Sequence, residues 1–341
     1  MSTGPSGTTA RTPAVPAVDA ELGAALDLAR PGLPATITAD LIPALQQASA
    51  MTPEALAELA AASGFEFEVR SVDGMFDVVV GRPGAVARPA PVVYFVHGGG
   101  MVMGSPAFGL DLALPWAEEA GAVVVSVGYR LAPGQPDPVP AEDCWAGLAW
   151  TVAHADELSV DPGRIVVAGH SAGAGLAAGV ALRARDEGGP ALLGQLLMCP
   201  MLDDRERTPS STALDGQGVW DRTSNRVGWT ALLGDRRAGP DVSPYTAPAR
   251  AGDVAGLAPA YLDVGSVETF RDEVVEYAGR IWLDGGDAEL HVWPGAYHCF
   301  EIVAPTAVVS RRALAARAQW MARILGTMPR PAGRRGQRPI A

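Results

Sequence analysis

The sequence predicts an α/β protein in which a mostly parallel central sheet is flanked by helices and covered by a helical cap. From residue 91 onward, short and fully apolar segments alternate with helical patterns, as in a parallel sheet buried on both faces. A serine between two glycines follows one of these segments and precedes an alanine-rich helical run. One connection, residues 203–240, is longer than an ordinary loop, which predicts an inserted cap element.

The N-terminal part of the chain predicts short helices followed by a hairpin. Apolar residues recur at helical spacing in three stretches, residues 21–30, 38–50 and 53–63. Thr52 is a suitable N-cap for the third helix, and Gly64 is expected to end it. Two strands follow, at residues 65–72 and 75–81. They are joined by Asp73-Gly74, a dipeptide typical of a two-residue hairpin turn.

The alternation that follows predicts the parallel sheet and its covering helices. The predicted strands are residues 91–96, 122–127, 164–168, 192–199, 259–264 and 289–293. The predicted helices are residues 141–158, 172–187, 271–283 and 307–325. We therefore divide the chain into a disordered N terminus (1–18), an N-terminal helical cap segment (19–63), an α/β core (64–202 and 241–328), an inserted cap segment (203–240) and a disordered tail (329–341).

Composition excludes several classes of function. The net charge is −12 and the acidic residues are spread along the chain, which argues against a nucleic-acid partner. All 26 basic residues are arginine, so the sequence has no Walker A loop, no Schiff-base lysine and no pyridoxal phosphate anchor. These absences favour chemistry that needs no nucleotide or lysine-bound cofactor.

Cysteine content and apolar segments predict the compartment. Cys144, Cys199 and Cys299 are odd in number and share no CxxC spacing, so we expect buried free thiols and neither a disulfide framework nor a metal site. The first 18 residues lack the apolar run of a signal peptide, and no later stretch predicts stable membrane insertion. A cytoplasmic protein is the expected result.

The glycine-flanked serine lies in the segment Gly169-His170-Ser171-Ala172-Gly173. A strand, a sharp turn and a helix in this order predict a nucleophile elbow, in which the serine has a strained backbone and the glycines avoid collisions. With Gly175, the spacing Gly169-x-x-x-Gly173-x-Gly175 also resembles the dinucleotide-binding turn of short-chain dehydrogenases. That turn is expected near the start of its domain, and those enzymes need a Tyr-x-x-x-Lys pair, which a chain without lysine cannot supply.

A second glycine motif, His97-Gly98-Gly99-Gly100, ends the first predicted parallel strand. Consecutive glycines let backbone N–H groups face a cavity, as an oxyanion hole requires. A structural turn is the alternative for the tetrapeptide alone, and the serine turn makes that alternative less favourable. We predict that Gly98 and Gly99 donate hydrogen bonds to a developing oxyanion together with Ala172, at the start of the helix after the serine.

These motifs, with Tyr129-Arg130-Leu131-Ala132-Pro133 between them, resemble the hormone-sensitive-lipase family of α/β-hydrolases, also called bacterial family IV esterases. The resemblance covers about residues 65–325. It implies an α/β-hydrolase fold whose cap is built from N-terminal helices and the insertion. It also implies carboxylesterase activity without a cofactor or metal, on a small-molecule ester, and a homodimer formed through edge strands as a common assembly.

The order of catalytic groups in this fold assigns the remaining roles. His298 follows the last predicted strand and is the expected general base. The family commonly has Asp-Pro-Leu-Arg-Asp-Glu where residues 268–273 stand here, so the resemblance assigns the catalytic acid to Glu268. Asp272 and Asp263 are the alternative candidates for the acid. His170 replaces the usual aspartate of the elbow. Side chains of adjacent residues diverge at a sharp turn, so we expect His170 to pack there and not to act as the base.

We predict a serine carboxylesterase that hydrolyses short- to medium-chain carboxylic esters through an acyl-enzyme intermediate. A lactonase, an amidase or a deacetylase would use the same residues, and a non-catalytic binder of small ligands is the alternative outside enzymes. His154 and His291 are expected to be structural or surface residues, and the resemblance implies that His97 shapes its loop. Apolar residues near the catalytic loops or in the cap are candidates for the substrate pocket: Met101, Met103, Phe108, Met201, Trp220, Trp229 and Tyr297.

Overall fold

The structure is a computed structural model that describes residues 14–34, 36–84 and 86–326. Its strands are β1 (Glu66–Val72), β2 (Phe76–Arg82), β3 (Ala90–Val96), β4 (Val123–Val127), β5 (Val160–His170), β6 (Leu192–Met198), β7 (Ala260–Gly265) and β8 (Ala288–Trp293). They form one eight-stranded sheet in the order β1-β2-β4-β3-β5-β6-β7-β8. Strands β3 to β8 are parallel and β2 is antiparallel to both of its neighbours, which confirms the predicted mostly parallel sheet.

Helices cover the sheet and extend over its carboxyl edge. They are α1 (Ala20–Ala29), α2 (Ile42–Ala48), α3 (Pro53–Ser63), α4 (Leu114–Ala120), α5 (Val139–Ala153), α6 (Ala155–Leu158), α7 (Ala172–Asp186), α8 (Pro209–Ala213), α9 (Arg222–Leu233), α10 (Arg271–Leu283), α11 (Phe300–Val303) and α12 (Val308–Leu325). Helix α4 was not predicted because two turns are too short to show a helical period. The predicted helix 141–158 is divided at His154, which ends α5 and precedes α6.

The core lies on both faces of the sheet. In β3, Val92, Tyr94 and Val96 join the hydrophobic cluster on one face, whereas Val93 and Phe95 join the cluster on the other. Side chains of a strand alternate between faces, so a strand with two buried faces must be apolar at every position. This is the reason why the parallel strands are continuous apolar runs in the sequence.

Local turn and cap predictions agree with the structure. Asp73 and Gly74 both have positive φ, 50° and 69°, as a tight hairpin turn between β1 and β2 requires. The Thr52 hydroxyl accepts a hydrogen bond from the Ala55 N–H at 3.1 Å, and Gly64 ends α3 in the left-handed region. All three cysteines are free thiols; Cys144 and Cys199 are buried, but Cys299 is only partly buried.

Several boundary predictions stay predictions. The predicted disordered tail and most of the predicted disordered N terminus lie outside the described residues. The division into core and cap segments and the pairing of edge strands into a homodimer also remain predictions. Within residues 14–326, leaving out positions 35 and 85, the helices are all too short or too polar to cross a bilayer.

Candidate active site

Ser171 lies at the carboxyl edge of the sheet, between the end of β5 and the start of α7, with a strained backbone (φ 57°, ψ −123°). A Cβ atom on Gly169 would lie 2.4 Å from the carbonyl oxygen of Gly173. A Cβ atom on Gly173 would lie 2.2 Å from the carbonyl oxygens of Val96 and His97. The two glycines therefore let the turn close tightly and bring the end of β3 next to Ser171.

Two side chains from separate loops form a chain of hydrogen bonds that ends at Ser171. His298, after β8, places Nε2 at 2.9 Å from the Ser171 Oγ atom and Nδ1 at 2.6 Å from Oε1 of Glu268, after β7. The other oxygen of Glu268 accepts a hydrogen bond from the Gly265 N–H at 2.8 Å. A carboxylate only accepts, so Nδ1 of His298 carries the proton and Nε2 accepts from the serine hydroxyl. The structure thus brings together the three residues predicted as nucleophile, base and acid.

The two alternative acids face other partners. Both oxygens of Asp263 accept hydrogen bonds from Arg317, at 2.7 and 3.1 Å. Asp272 accepts from the Ser210 N–H at 2.8 Å and from Arg271 Nε at 2.7 Å, at the first turn of α10. In the described part of the chain, Glu268 is the carboxylate that bonds His298.

His170 lies beside His298 but is not bonded to the serine. The two imidazole rings are 5.8 Å apart and inclined by 29°. Nδ1 of His170 would lie 2.9 Å from a Cβ atom on Gly98, and Nε2 is buried without a hydrogen-bond partner among the described residues. The serine proton is therefore within reach of His298, and His170 packs between the elbow and the Gly98 loop.

The glycine motif after β3 borders the serine. A Cβ atom on Gly98 would lie 3.4 Å from the Ser171 Cβ atom, and Gly99 has a φ of 107°. Throughout the described residues, no protein acceptor takes a hydrogen bond from the backbone N–H groups of Gly98, Gly99 or Ala172. The predicted oxyanion donors are therefore adjacent to Ser171 and free to bind a ligand atom.

His97 shapes this loop. Its ring stacks on Tyr129 at 4.1 Å, and the Tyr129 hydroxyl donates to the His97 carbonyl oxygen at 3.0 Å. Burial lowers the pKa of His97 to about 4, so the imidazole is neutral and Nδ1–H donates to the Gly98 carbonyl at 2.8 Å. This bond turns the Gly98 carbonyl toward His97.

The charge state of His298 depends on its burial and on its neighbours Cys199 and Glu268. Burial opposes the imidazolium, but Cys199 and Glu268 outweigh burial and raise the pKa of His298 well above its ordinary value of 6.5. Burial raises the pKa of the Cys199 thiol and keeps it protonated, so the carboxylate of Glu268 supplies the charge. The site is arranged to stabilise a proton on His298.

Cys199, Glu268 and His298 are also the one group of described residues whose donor atoms could hold a metal ion, since these atoms lie within 4.8 Å of one another. Glu268 and His298 are already bonded to each other, and the thiol is protonated. A metal would have to displace both the hydrogen bond and the thiol proton. The arrangement fits proton transfer better than metal binding.

A cavity of about 280 Å³ opens over Ser171 and His298, and its lining is mostly apolar. Three of the predicted pocket residues line it: Met103, Phe108 and Trp220. The lining also includes residues that no motif indicated: Leu33, Pro34, Ile37, Leu45, Val219, Cys299, Ile302 and Val303. Apolar side chains are common everywhere in the sequence, so these had no signal that separates them from core residues.

The roof of the cavity joins two segments that are distant in sequence. Three hydrogen bonds connect the residues after α1 to the residues before and within α9. Arg30 Nη1 donates to the Gly218 carbonyl at 3.0 Å, and the Thr36 hydroxyl donates to Asp221 at 2.7 Å. The Ile37 N–H donates to the Ser224 hydroxyl at 2.8 Å. These bonds fix Ile37 and Trp220 above the serine.

Four residues predicted for the pocket do not line this cavity: Met101, Met201, Trp229 and Tyr297. Met101, Met201 and Trp229 are buried in the main hydrophobic cluster. Tyr297 packs under α1, where its hydroxyl donates to the Leu22 carbonyl at 3.2 Å. Proximity in sequence to a catalytic loop does not determine which side of the backbone a side chain occupies.

Comparisons with known proteins identify the family. The alpha/beta hydrolase fold family matches residues 92–302. Carboxylesterase NlhH of Mycobacterium tuberculosis is 38% identical over 282 residues, which are 77% of this chain and 84% of that protein. The structure of a bacterial heroin esterase has a TM-score of 0.80 and 37% identity, covering 90% of this chain and 98% of its own.

A second solved structure, esterase LipW from Mycobacterium marinum, has a TM-score of 0.80 and 35% identity, covering 90% of this chain and 96% of its own. The family match spans nearly all of β3, strands β4 to β8 and the loops that carry Ser171, Glu268 and His298. The chain therefore belongs to the α/β-hydrolase family, in the esterase branch that resembles hormone-sensitive lipase.

Proposed function

We propose that the protein hydrolyses carboxylic esters by two-step acyl transfer through Ser171. The observation that carries the proposal is the buried chain of hydrogen bonds from Ser171 through His298 to Glu268, at 2.9 and 2.6 Å. A serine hydroxyl is a weak nucleophile unless a base removes its proton as it attacks. The relatives named above are esterases, so ester hydrolysis is the activity that both lines of evidence support.

The first step forms an acyl-enzyme. Ser171 attacks the ester carbonyl carbon while its proton passes to Nε2 of His298, and Glu268 stabilises the imidazolium. The N–H groups of Gly98, Gly99 and Ala172 bind the oxyanion. When the tetrahedral intermediate collapses, the C–O bond to the alcohol breaks and the alcohol leaves with the proton from His298.

The second step releases the acid. A water molecule gives a proton to His298 and attacks the acyl carbon, and collapse of the second intermediate returns that proton to the Ser171 oxygen. The apolar cavity of about 280 Å³ supports esters with short to medium uncharged chains. Apart from the catalytic groups, its lining offers few polar atoms for recognition, so selectivity depends on the size and shape of the chain.

The proposal is tested with p-nitrophenyl esters of increasing acyl length beside lactones and aryl amides, together with labelling by a fluorophosphonate. We expect esters to be turned over fastest, and mass spectrometry of the labelled protein should find one adduct, on Ser171. Ser171→Ala should carry no adduct. A folded wild-type protein without an adduct would favour a ligand-binding role. Faster turnover of lactones or amides than of esters would replace the proposed substrate class.

A further inference from the structure

A buried network of charges lies beneath the active site. Arg317 of α12 donates from Nε and Nη2 to the two oxygens of Asp263, at 2.7 and 3.1 Å, and from Nη1 to Glu301 at 2.5 Å. Arg317 is 1% exposed, Asp263 is 0% exposed and Glu301 is 3% exposed. Charges are expensive to bury even when they are paired, and apolar residues of similar size often give equal or higher stability. Stability alone therefore does not account for this network.

Each carboxylate of the network belongs to a segment that carries a catalytic group. Asp263 lies in β7, directly before the loop that holds Glu268. Glu301 lies in α11, which begins just after His298 and Cys299. The guanidinium of Arg317 thus connects the segment of the acid to the segment of the base. It does so with a planar group that fixes both direction and distance.

The two loops are also in direct contact above the network. The Ser266 N–H donates to the Trp293 carbonyl and the Val267 N–H donates to the Ala296 carbonyl, both at 2.9 Å. Trp293 Nε1–H donates to Asp263 at 3.1 Å. A change in the position of Asp263 would therefore be transmitted to the loop that leads to His298 as well as to the loop of Glu268.

The elbow is the third segment that faces the network. Burial opposes ionisation of Glu301, but Arg317 and then His170 outweigh it and lower the pKa of Glu301. The second oxygen of Glu301 and Nε2 of His170 are both buried and without hydrogen-bond partners among the described residues. An ionised carboxylate is thus electrostatically coupled to the residue that precedes Ser171.

We propose that Arg317 is a positioning residue, which holds β7 and α11 at the separation that the hydrogen bond between Glu268 and His298 requires. The proposal rests on the proposed function of Ser171, Glu268 and His298. Arg317 does not line the cavity, so it acts through Asp263 and Glu301. A displacement of about 1 Å between acid and base would slow catalysis by up to about 100-fold without closing the substrate cavity.

The test compares variants that alter the network in different ways. Arg317→Lys keeps the charge but loses the planar contact. The triple variant Arg317→Met, Asp263→Asn, Glu301→Gln removes all three charges while side-chain size is kept, so no unpaired charge stays buried. Arg323→Met is the matched control, because Arg323 lies on the same helix and pairs with Glu289 at the surface.

For the lysine and triple variants we expect kcat to fall about 10- to 100-fold with KM little changed. Labelling of Ser171 by a fluorophosphonate should slow in parallel. The acidic limb of the pH profile of kcat/KM should move to lower pH, because a longer bond to Glu268 stabilises the proton on His298 less. Arg323→Met should match the wild type in all three measurements.

Folded variants with wild-type kcat and an unmoved acidic limb would overturn the positioning role. If the triple variant does not fold, Arg317→Lys and the single change Glu301→Gln decide the question by the same readouts. Failure of the proposed function is separate, since it would appear as a wild-type protein that neither labels at Ser171 nor hydrolyses esters. An active wild type with unaffected variants would remove only the role of Arg317.

Discussion

The loops at the carboxyl edge of the sheet and the walls of the cavity above them differ in the atoms that form their contacts. In the loops, backbone atoms are in close contact, so that a Cβ atom on Gly173 would lie 2.2 Å from two carbonyl oxygens of the neighbouring strand end. In the walls, apolar side chains come from four segments far apart in sequence, which are represented by Ile37, Phe108, Trp220 and Ile302. The loops are determined by backbone geometry and the walls by side-chain size.

This difference predicts how each region responds to substitution. A backbone contact cannot relax without moving a strand or a helix, so changes in the loops should affect folding or the chemical step. A side chain in a wall borders empty space on one side. Changes there should alter which ester is accepted while folding and chemistry are preserved.

Gly173→Ala should have the largest effect. The added methyl group would collide with the carbonyl groups of Val96 and His97, so β3 and α7 would have to separate. We expect a loss of more than about 4 kcal/mol of the free energy of unfolding, and little folded enzyme. Denaturant unfolding followed by circular dichroism measures the change.

Gly279→Ala is the matched control. Gly279 lies in α10, and a Cβ atom there would meet nothing within 4 Å. Alanine is favoured over glycine in a helix by about 0.5–1 kcal/mol, so this variant should be slightly more stable than the wild type. If both glycine variants unfolded at the same denaturant concentration, close backbone packing would not explain the elbow.

The same difference determines what the sequence could predict. Gly169, Gly173 and the glycines after β3 are required by backbone geometry, and such requirements leave short motifs in the sequence. Strand β3 is apolar on both faces for a physical reason that can also be recognised in sequence. Leu33 and Ile302 could not be identified as cavity residues, because their apolar side chains are equally suited to the core.

Glu268→Gln should have the next largest effect, on the chemical step. An amide presents either a donor or an acceptor to Nδ1 of His298 and no longer stabilises the imidazolium, so we expect kcat to fall by about 10⁴-fold. Steady-state ester hydrolysis measures the change. Asp272→Asn is the control, since Asp272 bonds Ser210 and Arg271 and should keep activity near the wild-type level. Equal losses in both variants would contradict the assignment of the acid.

The pH dependence of activity should follow from the raised pKa of His298. The imidazole must be neutral to accept the serine proton, so activity is lost as the pH falls through this pKa. Because the pKa of His298 is raised above 6.5, the decrease of kcat/KM toward acidic pH, the acidic limb of its pH profile, should begin at a higher pH than it would for a free imidazole. The limb should move to lower pH in Glu268→Gln, because the stabilising negative charge is removed. An unchanged limb in that variant would show that another group titrates.

In the cavity wall, Trp220→Phe should change selectivity. The smaller ring enlarges the cavity beside Gly100, against which the Trp220 ring packs. We expect kcat/KM for longer acyl esters to rise by about tenfold relative to acetate. Trp229→Phe is the control, since Trp229 is buried in the core and does not line the cavity. It should lower stability and leave the ratio unchanged, whereas a similar shift in ratio would contradict the wall assignment.

Ile302→Phe should have the smallest effect and gives the sharpest separation of the two regions. Ile302 lines the cavity but is 47% exposed, so a larger side chain can fill part of the cavity without straining the core. We expect the free energy of unfolding to stay within about 0.5 kcal/mol. The ratio of kcat/KM for long over short esters should fall by less than about tenfold.

Leu283→Phe, at an exposed site at the end of α10, is the control and should change neither the stability nor this ratio. A loss of stability in Ile302→Phe comparable to that of Gly173→Ala would mean that wall and loop are constrained alike, and substrate choice could then not vary independently of the catalytic loops.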